Sequence, residues 1–139
     1  MITNSASETI LIGEKLAKTL KPGDMIALSG DLGSGKTTFT KGIGKGLSIK
    51  DSKRINSPTF VLIKEYNGKI PLYHLDLYRL DDLKEIENLA IEEYIYGTGV
   101  TVIEWAEKMK HLLPKKYILV RFKIKGDNKR EVAIEDFRD

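Results

Sequence analysis

The first half of the chain changes from helical to extended periodicity and back, which predicts two helices around a buried strand. Ser5 and Glu8 have the spacing of a capping box, and apolar residues then recur at helical intervals, so we predict a helix over residues 5–20. Residues 25–28 form a continuous apolar run that is typical of a buried strand, and a second helix is predicted over residues 36–47. The apolar stripe of the first helix consists of Ile10, Leu11, Leu16, Ala17 and Leu20.

The second half of the chain predicts two hairpins and a further buried strand. Residues 60–66 are predicted to form a strand, and Asn67-Gly68 is a preferred two-residue hairpin turn, so we expect a return strand over residues 69–78. After a polar loop at residues 48–58, the other predicted elements are an acidic helix over 81–96, a buried strand over 100–103, a short helical segment up to residue 113, and a hairpin of 117–125 with 130–134.

A strand that leads through a loop into a helix, and is followed by further strands, is typical of an α/β fold. We therefore predict a single domain over residues 1–139, with a mixed, mostly parallel central sheet flanked by helices. A chain of 139 residues with 41% apolar content can form one such core. A ligand is expected at the carboxyl ends of the parallel strands.

Residues 30–37 contain a complete phosphate-binding loop pattern, G-x-x-x-x-G-K-[ST], between the first strand and the second helix. Its glycines leave the backbone free to form a nest of N–H groups, to which the helix adds the positive end of its dipole. Lys36 would reach the β- and γ-phosphates of a nucleotide, and the hydroxyl of Thr37 would hold Mg²⁺. The pattern therefore predicts a nucleoside triphosphate site.

Hydrolysis also needs carboxylates, and two strand ends offer them. A period of two places His74, Asp76 and Tyr78 on one face of a strand, so Asp76 is a candidate site residue, with a surface ion pair as the alternative. His74 is either part of that site or a hydrogen-bonded structural histidine. Glu104 follows a buried strand, the position of a Walker B acid that holds Mg²⁺, although an acid there also suits helix capping.

Two further positions are candidates with open alternatives. Trp105 is the only tryptophan, and it either closes the nucleotide pocket or fills the core. Residues 57–59, Ser-Pro-Thr, precede a strand, where Thr59 could sense a γ-phosphate or the proline could simply turn the chain into the strand.

Composition narrows the class of protein further. No stretch has the apolar length of a membrane span, the first residues lack the features of a secretory signal, and cysteine is absent, so we expect a cytoplasmic protein that contacts neither membrane nor DNA. The net charge is +3, with basic segments at 36–54 and 108–130 and an acidic one at 81–105. A basic face suits RNA or an acidic partner, but an ordinary solvated surface explains it as well.

Four motifs occur together in this chain: residues 30–38 (GDLGSGKTT), 57–60 (SPTF), 74–80 (HLDLYRL) and 103–105 (IEW). In this order and at this spacing they resemble the TsaE (YjeE) family, bacterial P-loop ATPases of tRNA threonylcarbamoyladenosine biosynthesis. The resemblance implies a small P-loop α/β domain that binds ATP and Mg²⁺. It implies ATP hydrolysis that supports formation of N6-threonylcarbamoyladenosine in tRNA, carried out with a TsaD–TsaB heterodimer that performs the transfer itself and contacts the tRNA.

The resemblance also implies roles for individual residues. Thr37 and Glu104 would ligate Mg²⁺, and Asp76 would be the catalytic acid, acting with Lys36 and Glu104. Ser34 stands where many members have alanine, a small change that leaves room for phosphate. The residues implied to lie around the nucleotide are Gly33, Ser34, Gly35, Lys36, Thr37, Thr38, Thr59, Trp105 and Arg130.

Three other functions share the phosphate loop. A small-molecule kinase would usually add an arginine-bearing lid, for which 139 residues leave little room. A GTPase would need N-K-x-D after a strand, whereas the nearest string, at residues 128–131, ends in Glu within a predicted turn. A nucleotide-gated regulatory binding module differs from the ATPase only in its rate of turnover.

Overall fold

The computed structural model describes residues 1–56, 63–78, 80, 84 and 90–138 of the chain. The helices are α1 (Ala6–Ala17), α2 (Lys36–Gly46) and α3 (Ile91–Ile95), with 3-10 segments at Ser52–Arg54 and Ala106–Leu112. The strands are β1 (Ile2–Thr3), β2 (Met25–Ser29), β3 (Ile63–Tyr66), β4 (Leu72–Asp76), β5 (Val100–Glu104), β6 (Ile118–Ile124) and β7 (Arg130–Asp136).

All these strands form one sheet in the order β1-β7-β6-β2-β5-β4-β3. The inner strands β6, β2, β5 and β4 are parallel to one another, and β7 and β3 flank them as antiparallel strands. The predicted α/β fold with a mixed, mostly parallel sheet is confirmed. Strands β2 and β5 are buried along almost their whole length and are mostly apolar, because helical segments cover both of their faces.

Alternate residues of the strands feed two hydrophobic clusters, one on each face of the sheet. On one face, Phe39 and Ile43 of α2 pack with Ile26 and Leu28 of β2. On the other face, Ile91 of α3 belongs to a cluster with Ala27, Ile103 and Met109. Among the residues that the structure describes, no helix is long and apolar enough to cross a lipid bilayer.

Helices α1 and α2 approach each other so closely that glycine is required at their contact. A Cβ atom on Gly42 would lie 2.1 Å from the carbonyl oxygen of Ile10, and one on Gly13 would lie 2.4 Å from that of Phe39. Since backbone meets backbone here, neither clash can be relieved by a rotamer change. The contact sets the start of α1 beside the loop between β2 and α2.

The capping box of α1 forms as predicted, because the N–H of Glu8 donates to Oγ of Ser5 at 3.2 Å. The helix is shorter than predicted and ends at Ala17, and Leu11 of the expected apolar stripe is 47% exposed. Strand β1, which pairs with β7, was not predicted, because two residues are too few to show a period.

The first hairpin differs from the prediction at its turn. Tyr66 pairs with Leu72, so residues 67–71 all belong to the connection, rather than Asn67-Gly68 alone. A two-residue turn would have placed Pro71, which has no N–H to donate, inside the ladder opposite Lys64. Pro71 instead precedes β4, and its carbonyl accepts a hydrogen bond from the N–H of Val100 at 2.8 Å.

Half of the predicted helix over 81–96 lies outside the described residues, as do residues 57–62. The described end of that predicted helix, residues 90–96, does not start in helical conformation, because Ala90 has φ 51° and ψ 44°, in the left-handed region. Helix α3 begins after this residue and ends at Ile95. The final hairpin forms as predicted, with its turn closed by a hydrogen bond from the N–H of Lys125 to the carbonyl of Lys129.

Candidate nucleotide site

A cavity of about 260 Å³ lies where β2, β4 and β5 end. This is the edge of the sheet at which the sequence predicts a ligand. The cavity is lined by the loop before α2, by the carboxylates that end β4 and β5, by the start of α1 and by the last hairpin. The lining residues are Ser5, Ala6, Thr9, Leu32, Gly33, Gly35, Lys36, Thr37, Thr38, Asp76, Glu104, Trp105, Asp127, Asn128 and Arg130.

The loop at residues 30–35 needs glycine for two different reasons. At Gly30 a Cβ atom would lie 2.6 Å from Oγ of Ser34 and 2.9 Å from the carbonyl of Phe122, so the close approach of β6 excludes a side chain. Gly35, the residue before α2, has φ 109°, a conformation that L-residues rarely adopt. The loop can therefore present backbone N–H groups and the start of α2 to one side, a geometry that suits anions.

Lys36 is folded back onto its own loop. Its ammonium donates to the carbonyl oxygens of Gly30 and, at 3.1 Å, Asp31, and it lies 4.4 Å from the centre of the Trp105 ring. Burial lowers the pKa of Lys36, and nearby carboxylates, Glu104 foremost, oppose that shift. The ammonium is thus a largely desolvated cation at the wall of the cavity.

Asp76 and Glu104 face the same side because β4 and β5 pair in register. The two residues are direct partners across the parallel ladder, so their side chains leave the sheet on one face. Burial raises the pKa of Asp76 and the charge of Glu104 raises it further, while a hydrogen bond from the N–H of Tyr78, at 2.9 Å, opposes both. Glu104 is only 2% exposed, so two carboxylates and an ammonium share a poorly hydrated site.

His74 belongs to the same polar face, whereas Leu75 and Leu77 enter the core on the other side, as the period of two predicts. The imidazole is fully buried, and its Nε2 lies 2.5 Å from Oε2 of Glu104. The sequence left open whether this histidine belongs to the site. Its contact with Glu104 places it directly behind the cavity wall.

The donor atoms at the cavity suit Mg²⁺ in particular. Glu104 and Asp76 offer carboxylate oxygens and Thr37 a hydroxyl, the hard oxygen ligands that Mg²⁺ prefers. Within the described part of the chain, His, Asp and Glu form no group of three or more that could hold a metal alone. Mg²⁺ is usually held by one or two carboxylates together with substrate phosphates, which fits this incomplete set.

The sequence left open whether Trp105 fills the core or closes a nucleotide pocket, and the structure places it between the hydrophobic core and the cavity. It packs partly against the cluster on one face of the sheet and also lines the cavity, with its ring centre 5.1 Å from that of Tyr78. Its φ of 61° is left-handed, an uncommon conformation for a bulky residue. This conformation turns the chain directly after Glu104 and lays the indole beside Lys36.

Arg130, at the start of β7, reaches the phosphate loop from the last hairpin. Its guanidinium donates to the carbonyl of Gly33 at 3.0 Å and to that of Gly126 at 2.8 Å. The hairpin turn and the loop are thereby held together at the mouth of the cavity. This places Arg130 with the other candidate residues.

The remaining candidates fall elsewhere. Ser34 belongs to the phosphate loop, but its side chain is buried, and its Oγ has no hydrogen-bond partner among the described residues. Thr59 lies outside the described residues. Sequence reasoning missed several lining residues: Ser5, Ala6, Thr9, Leu32, Asp127 and Asn128. Leu32 lies inside the phosphate-loop pattern, which marks its region although it does not single out this residue. For the others, only the capping pattern at Ser5 and the turn at 126–128 gave a signal, and neither points to a ligand.

The fold and the loop define a P-loop α/β protein. A family model described as "Threonylcarbamoyl adenosine biosynthesis protein TsaE" matches residues 3–132. The chain belongs to this TsaE family, and the resemblance found in the sequence is confirmed.

Relatives and a solved structure agree with that assignment. The tRNA threonylcarbamoyladenosine biosynthesis protein TsaE of Bacillus subtilis is 47% identical over 132 residues, which are 94% of this chain and 81% of that protein. The TsaE protein of Treponema pallidum is 38% identical over 133 residues, 96% and 97% of the two chains. The crystal structure of YdiB from Bacillus subtilis has a TM-score of 0.80 and 39% sequence identity, and the match covers 99% of this chain and 84% of that one.

Proposed function

We propose that this protein is a Mg²⁺-dependent ATPase that supports threonylcarbamoyladenosine modification of tRNA. The observation that carries the proposal is the convergence of Lys36, Asp76 and Glu104 on one cavity beside a complete phosphate loop. Membership of the TsaE family supports the pathway, since relatives of this chain are named for that biosynthesis.

Each group has a chemical task in this proposal. Lys36 leaves the loop carbonyls and binds the β- and γ-phosphates, together with the N–H groups of residues 33–38. Thr37 and Glu104 hold Mg²⁺, which neutralises charge on the phosphates when bound. Asp76, whose pKa burial raises, is the catalytic acidic residue of this proposal and would orient the attacking water beside the γ-phosphate.

In this proposal a partner assists ATP hydrolysis. Thr59, Trp105 and Arg130 complete the surroundings of the nucleotide in our proposal. We further propose that the protein acts with a TsaD–TsaB complex, which performs the transfer and contacts the tRNA, in the cytoplasm. Free P-loop proteins often hydrolyse nucleotides slowly until a partner completes the site, so turnover should be slow for the isolated chain.

Two substitutions separate binding from hydrolysis. Lys36→Ala should abolish ATP binding, because it removes the cation that faces the phosphates. Glu104→Ala should leave binding without metal intact and remove Mg²⁺-dependent turnover. Calorimetry with ATP, with and without Mg²⁺, and a phosphate-release assay give both readouts. Full turnover in Glu104→Ala would refute the metal assignment.

The partner is tested by adding the TsaD–TsaB complex. We expect faster ATP hydrolysis and co-elution on size-exclusion chromatography in the presence of nucleotide. The Lys36→Ala variant is the matched control, because it should not be stimulated. An unchanged rate without co-elution would favour the alternative of a small-molecule kinase.

A further inference from the structure

We propose that His74 positions Glu104: its imidazole fixes one carboxylate oxygen and so leaves the other for the metal. This inference rests on the proposed function, because it takes Glu104 as a ligand of Mg²⁺. It assigns His74 a positioning role, since nothing places the imidazole against the nucleotide itself.

The backbone determines this contact. His74 lies opposite Val102 in the parallel register of β4 and β5, and Glu104 is two residues further along the same face. A diagonal neighbour on one face of a sheet is within reach of a long side chain. Nε2 of His74 accordingly meets Oε2 of Glu104 at 2.5 Å, with both side chains almost completely buried. In so poorly hydrated a place a hydrogen bond to a carboxylate is strong and fixes its direction.

The other ring nitrogen distinguishes this histidine from an ordinary buried one. Nδ1 of His74 has no hydrogen-bond partner among the residues that the structure describes. Buried polar groups are nearly always paired, and an unpaired one costs stability. The contact with Glu104 is therefore the one polar interaction of the imidazole within the described part of the chain, and an apolar side chain would serve a purely structural role better.

A hydrogen bond that orients a metal ligand strengthens metal binding by an amount known from other proteins. Loss of such a partner typically lowers metal affinity by about 10- to 100-fold. Here the consequence should appear in the Mg²⁺ dependence of ATP binding, because Lys36 and the loop bind phosphates without help from Glu104. Binding in the absence of metal should remain unchanged.

The experiment measures the Mg²⁺ concentration at which ATP binding to the intact chain is half-enhanced. His74→Leu should raise this midpoint by about 10-fold or more, without loss of metal-free binding. His74→Gln can place an amide N–H near the position of Nε2 and should restore the midpoint to within a few-fold. His74→Asn is polar but too short to reach Glu104, so it should behave like His74→Leu.

Val102→Ala is the matched control for packing, because Val102 is buried directly opposite His74. Val102→Ala should lower the thermal stability, and its Mg²⁺ midpoint should equal that of the parent. If His74→Leu does not fold, the difference between His74→Gln and His74→Asn decides the question.

Three results would overturn the positioning role. They are a parental midpoint in His74→Leu, an equal shift in His74→Gln and His74→Asn, or the same shift in Val102→Ala. If the parent shows no Mg²⁺-dependent ATP binding, the proposed function itself fails, and this role fails with it.

Discussion

At the scale of single residues, Lys36 is held in a resting position by groups that a phosphate would have to replace. Its ammonium is 4.4 Å from the ring centre of Trp105, the only tryptophan of the chain. Cation–π contacts of this kind contribute about 0.5–2 kcal/mol, and phosphates at the loop offer a stronger partner. Nucleotide binding should therefore draw the cation away from the indole.

The expected result is a saturable change in Trp105 fluorescence when ATP is added. Since there is one tryptophan, the signal has one source. Lys36→Ala serves as the control and should show no such change over the same titration. An unaltered spectrum, while calorimetry reports binding, would mean that the lysine stays on the indole.

The residues that sequence could identify are those fixed by a local pattern. Lys36 and Thr37 belong to a contiguous motif, and Asp76 and Glu104 end strands whose period is visible. Thr9 and Asp127 reach the cavity only through the packing of α1 and of the last hairpin. Such long-range placement leaves no local signal in the sequence.

At the scale of elements, the contact between α1 and α2 opposes intrinsic helix propensity. Replacing a helix glycine by alanine gains about 1 kcal/mol on propensity alone. In Gly42→Ala, however, the new Cβ would lie 2.1 Å from the Ile10 carbonyl, and the two helices would have to separate. We expect a net loss of about 1–3 kcal/mol in the free energy of unfolding, measured with urea.

Gly44→Ala, in the same helix, is the control for this substitution. Its Cβ would meet Cδ1 of Ile55 at 2.3 Å, the end of a side chain that can rotate. We expect its stability to remain within about 1 kcal/mol of the parent. Stabilisation by both substitutions would show that the helices do not meet backbone to backbone.

A substitution at Ala90 can test the continuous helix that the sequence predicts against the structure, in which Ala90 is left-handed and precedes α3. In a continuous helix over 81–96, Ala90→Gly should lower stability by about 1 kcal/mol. With φ at 51°, glycine instead relieves the strain of a left-handed alanine, so we expect a net gain of about 0.5–1 kcal/mol.

Thermal unfolding of Ala90→Gly gives the sign directly. Ser48→Gly provides the comparison, because Ser48 has φ 60° at a place where no helix is predicted. Both variants should gain stability. A loss of stability in Ala90→Gly, with a gain in Ser48→Gly, would instead support the continuous helix predicted from the sequence.

Most elements could be predicted because their periods are long or their caps distinct. The exceptions share a physical cause: tertiary contacts override a local preference. Asn67-Gly68 favours a tight turn, but Pro71 has to stay out of the ladder, and the register at Tyr66 and Leu72 follows from that. Strand β1 exists only because β7 offers it an edge.

At the scale of the whole molecule, Arg138 joins the C-terminal end of the sheet to the connection between α1 and β2. Its guanidinium donates to the carbonyl of Thr19 at 3.0 Å, to Asp24 at 3.0 Å and to Asp136 at 2.7 Å. This cluster closes a contact between segments more than a hundred residues apart in sequence. No sequence pattern predicts this cluster, because isolated charges near a terminus are common.

The Arg138 cluster should make part of the stability depend on pH. The hydrogen bond and charge of Arg138 hold the pKa of Asp136 below the ordinary aspartate value. A carboxyl whose folded-state pKa is lowered stabilises the fold above about pH 4, and this contribution disappears as the pH falls through the folded-state value. Because Asp136 is 45% exposed, solvent screening limits the effect to about 1 kcal/mol or less.

Asp136→Asn removes the charge, together with one of the two oxygens that accept hydrogen bonds from Arg138. Urea unfolding of the parent and the variant should differ at about pH 7 and converge as the pH falls below about 4 and through the lowered folded-state pKa, where Asp136 becomes protonated in both folded and unfolded chains. Taking the difference between the two proteins removes the contribution of every other titrating group that the substitution leaves unchanged. Lys125 pairs with Glu131 at the other end of β7, and Glu131→Gln removes this exposed ion pair as the control. A gap between the parent and Asp136→Asn that stays constant down to low pH would mean that the charge of Asp136 does not stabilise this junction.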